Sequence, residues 1–246
     1  LWISKGTTDD DIANETNLTI AKTHLQNVIN NYGLKLMDDF SSVFDAKNGK
    51  GNEEIIFAVR YAESEAENNN KLFTYAMATG STKDNYLSNG DKFLDALNIG
   101  NTGSQQLEYK HEIYNSFDET DTRREATFIA SYSKNTETNE LTLRGTHVRK
   151  NIGYVNAQGN RIYCGDYIFY RLPLVYLMLA EIENMQGGDV AQYINIIRKR
   201  AYNTNWDETT YGYKNSDFTT NELAILHEKD KEFIQEGQRW WDIRRM

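Results

Sequence analysis

The 246-residue sequence has one cysteine, one proline and four histidines, and these scarcities exclude several kinds of site. A single cysteine, Cys164, rules out an intrachain disulfide and a metal site built from several thiolates. The histidines, His24, His111, His147 and His227, are isolated from one another, unlike zinc ligands. The sequence therefore predicts no metal and no other cofactor, although it is silent on calcium.

Long apolar runs and an excess of positive charge are also missing. No apolar run reaches the roughly 18 residues that a membrane-spanning helix needs, and neither a signal peptide nor a lipobox cysteine is recognisable. Lys and Arg number 27 against 36 Asp and Glu, which gives a net charge of −9, and no basic run exceeds three residues. A nucleic-acid surface needs the opposite balance, so we predict no nucleic-acid partner.

The composition is that of a folded protein that is rich in tyrosine. Hydrophobic residues make up 39% and aromatic residues 12% of the chain, and 16 of the aromatic residues are Tyr. This is enough apolar surface for a real core. A tyrosine offers a ring for stacking and a hydroxyl for hydrogen bonding, which suits sugar or peptide recognition as well as the wet edge of a core.

The first two thirds of the chain carry weak structural signals. Apolar residues at three- and four-residue steps predict a helix over 15–32, and alternation predicts a short strand over 55–61. Residues 62–115 have no sustained period. Two short strands, 126–132 and 141–149, are predicted on either side of a turn at Asn135–Asn139.

The last third is clearly helical. A helix begins near Pro173, with one apolar stripe from Leu172 to Met185, and ends at Gly187. Asp189 is the predicted cap of a second helix, which buries Val190, Ile194, Ile197 and Ala201. Together they form a helical hairpin about as long as one tetratricopeptide repeat. A capping box at Thr219 and Glu222, with Phe218 and Leu223 as its staple, then starts a final helix.

The end of that helix carries the most specific pattern in the chain. Residues 228–245 resemble the C-terminal signature of the SusD/RagB family of outer-membrane nutrient-binding lipoproteins, which reads E-R-x-x-E-F-x-x-E-G-x-R-W-x-D-L-R-R. The matching residues are Glu228, Glu232, Phe233, Glu236, Gly237, Arg239, Trp240, Asp242, Arg244 and Arg245. Residues 52–61, 121–123, 170–185 and 193–201 are similar to further family motifs, in the family's order.

The resemblance implies an architecture and a function. The expected fold is mainly α, with tetratricopeptide-like helical hairpins (about 15–32 and 166–246) and a loop-rich, partly β segment (about 62–165) packed against them in a single domain over 1–246. The family implies a non-catalytic protein at the cell surface that captures oligosaccharides for a SusC-like TonB-dependent transporter in the outer membrane. Its lipid anchor would lie outside this chain, which resembles the C-terminal portion of family members.

Two interpretations apply to the carboxylates of the terminal motif. Glu232, Glu236 and Asp242 could be a catalytic set of a glycosidase. We favour a buried structural network, with Arg239, Arg244 and Arg245 as partners, because a general acid needs a raised pKa and arginine neighbours lower it. On the neighbouring helix, Asn195 is expected to bond a carbonyl group, and Arg198 to pair with Glu181 or Glu183.

The candidate ligand residues are aromatic and lie in loops, where binding residues concentrate. The predicted set is Trp206, Tyr211, Tyr213, Tyr75 and Tyr86, with Phe93 as a further candidate. Asn203, Asn205 and Asp207 could bond sugar hydroxyl groups. Two alternatives remain open: a peptide-capturing member of the same family, and a helical-repeat interaction scaffold without a small ligand.

Overall fold

The computed structural model describes residues 15–67, 84–94, 96 and 107–244. Tyr75, Arg245 and Met246 lie outside the described residues. The chain divides into two compact units. The helical unit takes its described residues from 15–43, 51–59 and 168–244, and the hairpin unit takes them from 44–50 and from 60 to 167.

Eight α-helices are present in the described residues: α1 Glu15–Asn31, α2 His111–Asn115, α3 Thr122–Thr127, α4 Leu172–Gln186, α5 Ala191–Tyr202, α6 Glu208–Tyr211, α7 Phe218–Glu232 and α8 Arg239–Ile243. The described strands are β1 Ile55–Val59, β2 Phe128–Lys134, β3 Leu141–Val148, β4 Tyr154–Val155, β5 Arg161–Ile162 and β6 Tyr167–Arg171. The helix-rich class expected from the sequence is confirmed. None of the described helices combines the length and the apolarity needed to cross a membrane.

Helix α4 is the centre of the helical unit, and it is buried on two sides. Leu174, Leu177 and Ala180 pack with residues of α5 and α7, whereas Leu172, Val175 and Leu179 pack against α1. The sequence predicts a single apolar stripe on this helix. The structure covers a second side as well, so the prediction is incomplete. The helix starts with Pro173 in its first turn and ends at Gly187, whose φ of 68° suits glycine.

Helix α5 buries the apolar residues that the sequence predicts for it. Val190, Ile194, Ile197 and Ala201 are fully buried. The helix begins at Ala191, so its N-cap residue is Val190 and not the predicted Asp189. The Asp189 Oδ1 atom, one residue earlier, still accepts a hydrogen bond from the Gln192 N–H at 3.3 Å.

Helix α7 differs from its prediction in both its start and its buried face. Its cap is Asp217, whose side chain accepts from the Thr220 N–H at 3.0 Å, and not Thr219. Phe218 and Leu223 are exposed, so no hydrophobic staple forms. The buried face is instead mostly polar and consists of Asn221, Ile225, Glu228, Lys229 and Glu232.

The hairpin unit is built around the antiparallel pair β2–β3, with the predicted turn at residues 135–139. A bulge lies between Ser131 and Tyr132. Tyr86 exchanges two backbone hydrogen bonds of 2.8 Å with Tyr132, so a further segment pairs with this hairpin. A smaller pair, β4–β5, follows. It requires glycine at position 153, because a Cβ atom there would lie 1.8 Å from the Ile162 carbonyl oxygen.

His147 is a buried titratable group on β3. Its Nε2 atom lies 3.2 Å from the Ser131 hydroxyl oxygen, and its ring centroid lies 5.1 Å from that of Phe93. Burial lowers the pKa of His147 from its ordinary value of 6.5 to about 4, and the Glu108 carboxylate opposes this only in part. The imidazole is therefore neutral in the folded protein at pH 7.

The core of the helical unit gives a first prediction. Leu177→Ala removes a fully buried side chain and lowers the free energy of unfolding by roughly 2–5 kcal/mol. Leu223→Ala, on the exposed side of α7, changes it by less than about 0.5 kcal/mol. Urea denaturation of the two variants measures the difference, and equal effects would contradict the assigned packing.

His147 gives a second prediction. Because its folded pKa is depressed, its stabilising contribution is complete above the unfolded pKa of 6.5 and is lost as the pH falls towards 4. Between pH 6.5 and about 4, the free energy of unfolding should therefore fall by about 3 kcal/mol less in His147→Gln than in the wild type. Leu223→Ala, at an exposed site on α7, removes no titratable group and should keep the wild-type profile. Superimposable profiles of His147→Gln and wild type would refute the assignment.

Candidate functional site

Three aromatic residues form a cluster at the end of α5. Tyr202, the last residue of the helix, stacks on Tyr211 with ring centroids 3.9 Å apart and planes at 15°. The Trp206 ring lies 6.4 Å from Tyr202, and the Lys199 ammonium lies 5.7 Å from the Trp206 ring centroid. Trp206 and Tyr211 are half-buried, so each keeps part of its surface open to solvent. We call Tyr202, Trp206 and Tyr211 the aromatic cluster.

The structure gives Tyr213 a different position from Trp206 and Tyr211. Its ring packs against the core of the helical unit, its hydroxyl donates to the Asn221 Oδ1 atom at 2.7 Å, and its N–H donates to the Asn195 Oδ1 atom at 2.7 Å. Burial raises the pKa of Tyr213, although Arg198 opposes the shift. Tyr213 anchors the loop that carries the cluster. Asn195 also donates to the Tyr213 carbonyl at 3.0 Å, which confirms the carbonyl bond predicted for it.

Some of the polar side chains beside the aromatic cluster already make hydrogen bonds within the protein. The Asp207 carboxylate caps α6 by accepting from the Thr210 N–H at 2.8 Å and the Thr210 hydroxyl at 2.7 Å, and these bonds lower its pKa. The Asn203 side-chain amide donates to the Asp38 carbonyl at 3.4 Å. Asn205 is exposed.

The hairpin unit holds the other described candidate, Tyr86. The ammonium groups of Lys92 and Lys134 lie 4.1 and 5.5 Å from the Tyr86 ring centroid. Phe93, which the sequence suggests as a ligand residue, is buried against His147 and presents no surface to a ligand. Tyr75 falls outside the described residues.

The terminal motif contributes two carboxylates to a buried ion network centred on Arg171. The Arg171 Nε and Nη2 atoms donate to the two oxygens of Glu236 at 2.7 Å each, and Nη1 donates to Glu54 at 2.8 Å. Nη1 also donates to the Glu232 carboxylate at 2.5 Å, and Nη2 to the Glu232 carbonyl at 2.7 Å. These five bonds match the five N–H groups of a guanidinium.

Arg200 completes this network from α5. It pairs with Glu232 and lies 3.3 Å from Glu54. Arg171 and Glu54 are almost completely buried. Burial alone would lower the pKa of Arg171, but Glu236, Glu232 and Glu54 outweigh it and raise the pKa above its ordinary value. We call Arg171, Arg200, Glu54, Glu232 and Glu236 the ion lock.

The other motif residues have partners that the sequence does not predict. Lys229 pairs with Glu181 and, at 2.8 Å, with Asp242. Arg198 donates to Glu228 at 2.9 Å, and not to Glu181 or Glu183 as expected. Arg198 also donates to the Tyr211 carbonyl at 2.9 Å, so Glu228 and Arg198 connect α7 to the aromatic cluster.

The arginines of the motif differ from the expectation in the same way. Arg239 pairs with Asp230 at 3.0 Å near the surface, and Arg244 lies beside Trp240. The ion lock takes its described cations from residues 171 and 200, far from the motif in sequence. Trp240 and Trp241 are exposed.

The geometry of the ion lock is that of a structural element. Catalytic carboxylates of glycosidases flank a bond in a cleft and need room for substrate or water, whereas the Glu232 and Glu236 oxygens accept from buried guanidinium groups. In the part of the chain that the structure describes, no group of three or more His, Cys, Asp and Glu could hold a metal ion. The open aromatic surface is a separate feature.

The ion lock gives a third prediction. Arg171→Gln leaves buried carboxylates unpaired and lowers the free energy of unfolding by roughly 3–5 kcal/mol. Arg239→Gln breaks an ion pair near the surface and costs less than about 1 kcal/mol. Thermal and urea unfolding of both variants test this pair. A mild effect of Arg171→Gln on the free energy of unfolding would contradict the structural role assigned to the ion lock.

Comparison with known proteins places the chain in one family. The model of the SusD family matches residues 53–246. The chain is 25% identical to the SusD-like protein P2 of Formosa agariphila, over 92% of this chain and 46% of that protein.

Solved structures agree with this result. A SusD superfamily protein from Bacteroides fragilis is 66% identical and superimposes with a TM-score of 0.93, over all of this chain and 51% of the other. A surface glycan-binding protein A from Bacteroides thetaiotaomicron, solved with laminarihexaose, shares the fold at 20% identity with a TM-score of 0.59, over 93% of this chain and 50% of that one. The chain spans about half the length of these relatives, and it belongs to the SusD family.

Proposed function

We propose that this protein binds oligosaccharides and that the aromatic cluster contributes to the binding surface. The observation that carries the proposal is the arrangement of Trp206 and Tyr211, which are half-buried and lie beside Tyr202 at the end of α5. Membership of the SusD family supports a role in binding nutrients. The fold shared with a glycan-binding protein solved with laminarihexaose is consistent with it.

The physical basis would be stacking combined with hydrogen bonding. The apolar C–H face of a sugar ring packs on an aromatic ring, and nearby polar side chains orient its hydroxyl groups. Here Asn205 and the Lys199 ammonium lie close enough in sequence and space to take the second role. The cluster is positioned by the Arg198 contact with the Tyr211 carbonyl and by the anchored Tyr213, so little ordering would be needed on binding.

Binding would proceed without chemical change to the sugar. The buried carboxylates of the ion lock are engaged by arginine, which favours a supporting role for them. We further propose that the captured oligosaccharide passes to a SusC-like TonB-dependent transporter in the outer membrane. The protein would sit at the cell surface through a lipid anchor outside the 246 residues. Peptide cargo, or no small ligand at all, are the competing possibilities.

Affinity electrophoresis against a panel of soluble polysaccharides tests the proposal. We expect at least one polysaccharide to retard the protein without producing new reducing ends. Trp206→Ala and Tyr211→Ala should each weaken that interaction about tenfold, which corresponds to roughly 1.4 kcal/mol per ring. Trp240→Ala removes an exposed tryptophan elsewhere and should bind as wild type does.

The other outcomes separate the alternatives. Loss of binding in Tyr86→Ala, with Trp206→Ala unaffected, would move the sugar site to the hairpin unit. Retardation by no polysaccharide would favour peptide cargo or a scaffold. New reducing ends would overturn the non-catalytic interpretation. Circular dichroism of each variant checks that the fold is retained.

A further inference from the structure

Two lysine side chains of the hairpin unit lie against a single tyrosine ring. The ammonium nitrogens of Lys92 and Lys134 are 4.1 and 5.5 Å from the Tyr86 ring centroid. The ring is half-buried, so part of it is open to solvent. Among the described residues, neither the Tyr86 hydroxyl nor either ammonium group has a hydrogen-bond or ion-pair partner. We call Tyr86, Lys92 and Lys134 the lysine–tyrosine site.

The backbone places the three side chains on one face of the hairpin unit. Tyr86 is bridged to Tyr132 on one side, with two hydrogen bonds of 2.8 Å, and to Lys92 on the other. Lys134 lies two residues beyond Tyr132 on β2, and side chains two residues apart in a strand share a face. Phe93, which follows Lys92, is buried and anchors that segment. The site is therefore held by the sheet and not by contacts among its own side chains.

The charges of the site are not balanced by the protein. Acidic residues outnumber Lys and Arg by 36 to 27, yet no carboxylate of the described residues lies within 4.0 Å of either ammonium group. Asp91, next to Lys92, instead accepts from the Asn89 side-chain amide at 2.8 Å. Elsewhere an exposed lysine does find a carboxylate, as Lys35 does with Glu53 at 2.6 Å. An anion that contacts both ammonium groups of the site would relieve their repulsion and gain two favourable interactions.

The ring adds a requirement that charge alone does not explain. The open part of the Tyr86 ring can pack on the C–H face of a sugar, and its hydroxyl can bond with sugar hydroxyl groups. A free inorganic anion would use the two lysines and leave the ring without a function. The net charge of −9 does not oppose an anionic ligand here, because charges more than about 8 Å away are largely screened at physiological ionic strength.

We propose that the lysine–tyrosine site is a second sugar-binding site, distinct from the aromatic cluster, and that it takes a sugar ring bearing a carboxylate or a sulfate ester. The Tyr86 ring would stack on the sugar, and Lys92 and Lys134 would bind its anionic group. That the ligand is a sugar rests on the proposed function. That it is anionic rests on the two ammonium groups without a carboxylate partner.

Isothermal titration calorimetry with sugars that differ in charge tests the proposal. The probes are hexagalacturonate, its carboxyl-reduced neutral counterpart and a sulfated galactan oligosaccharide, in buffer of low ionic strength. We expect a charged sugar to bind, and the double variant Lys92→Gln, Lys134→Gln to weaken its binding at least about tenfold. The neutral sugar should bind the variant and the wild type equally. Binding of one charged sugar and not the other identifies the anionic group.

Two further double variants serve as controls. Lys110→Gln, Lys214→Gln removes the same two charges from exposed positions without an ion-pair partner among the described residues, and should bind the charged sugar as the wild type does. Lys92→Arg, Lys134→Arg keeps the charges and should keep most of the affinity. Circular dichroism of each variant checks that the fold is retained.

Three outcomes would overturn the proposal. The first is that neither charged sugar binds, and the second is equal affinity of the Lys92→Gln, Lys134→Gln variant and its glutamine control. The third is that hexaglutamate binds as tightly as the charged sugars and is lost in the same variant, because the site would then recognise charge alone. If a neutral sugar still binds and Trp206→Ala weakens it, the proposed function stands and only this inference fails. If no sugar of any kind binds, both fail.

Discussion

The helical unit depends on the hydrogen bonds and ion pairs that the buried Arg171 guanidinium makes. It brings together Glu54 before β1, Glu232 at the end of α7 and Glu236 beyond it, with Arg200 of α5 beside them. Phe40 and Phe233 lie against its charged plane at 5.6 and 4.7 Å. Buried charges are costly unless every partner is in place, so this arrangement admits one register of strand and helices. We infer that it specifies the fold more than it adds net stability.

Support and recognition are separate in this protein but are joined by a short path. The ion lock fixes α5 and α7, and from α7 the Glu228 carboxylate holds Arg198, which in turn holds the Tyr211 carbonyl. The charged residues of the terminal motif thus position the loop that carries Tyr211 and do not themselves form the aromatic surface. The surface proposed for sugars consists of the rings at the end of α5.

The sequence predicts elements whose signals are local and misses those that depend on distant partners. The helices around Gly187 and the hairpin at 135–139 follow from apolar periodicity and turn residues. For helix α7 the sequence predicts a buried carboxylate network correctly but assigns it the wrong cations. The expected partners are Arg239, Arg244 and Arg245, whereas Glu232 pairs with Arg171 and Arg200. Arg171 is 117 residues from Glu54 and 65 from Glu236, so no local pattern pairs them. Tyr202 is not among the predicted ligand residues, because it is the last residue of a helix and the prediction took its aromatic candidates from loops.

A double-mutant cycle between Arg171 and Glu236 tests whether the ion lock acts as one unit. The free energy of unfolding would be measured for Arg171→Gln, Glu236→Gln and the combination. If the ion lock acts as one unit, the effects are strongly non-additive, with a coupling of about 2 kcal/mol, within the range for residues in one network. Additivity to within about 0.5 kcal/mol would show that the two residues act independently and that the ion lock is not one unit.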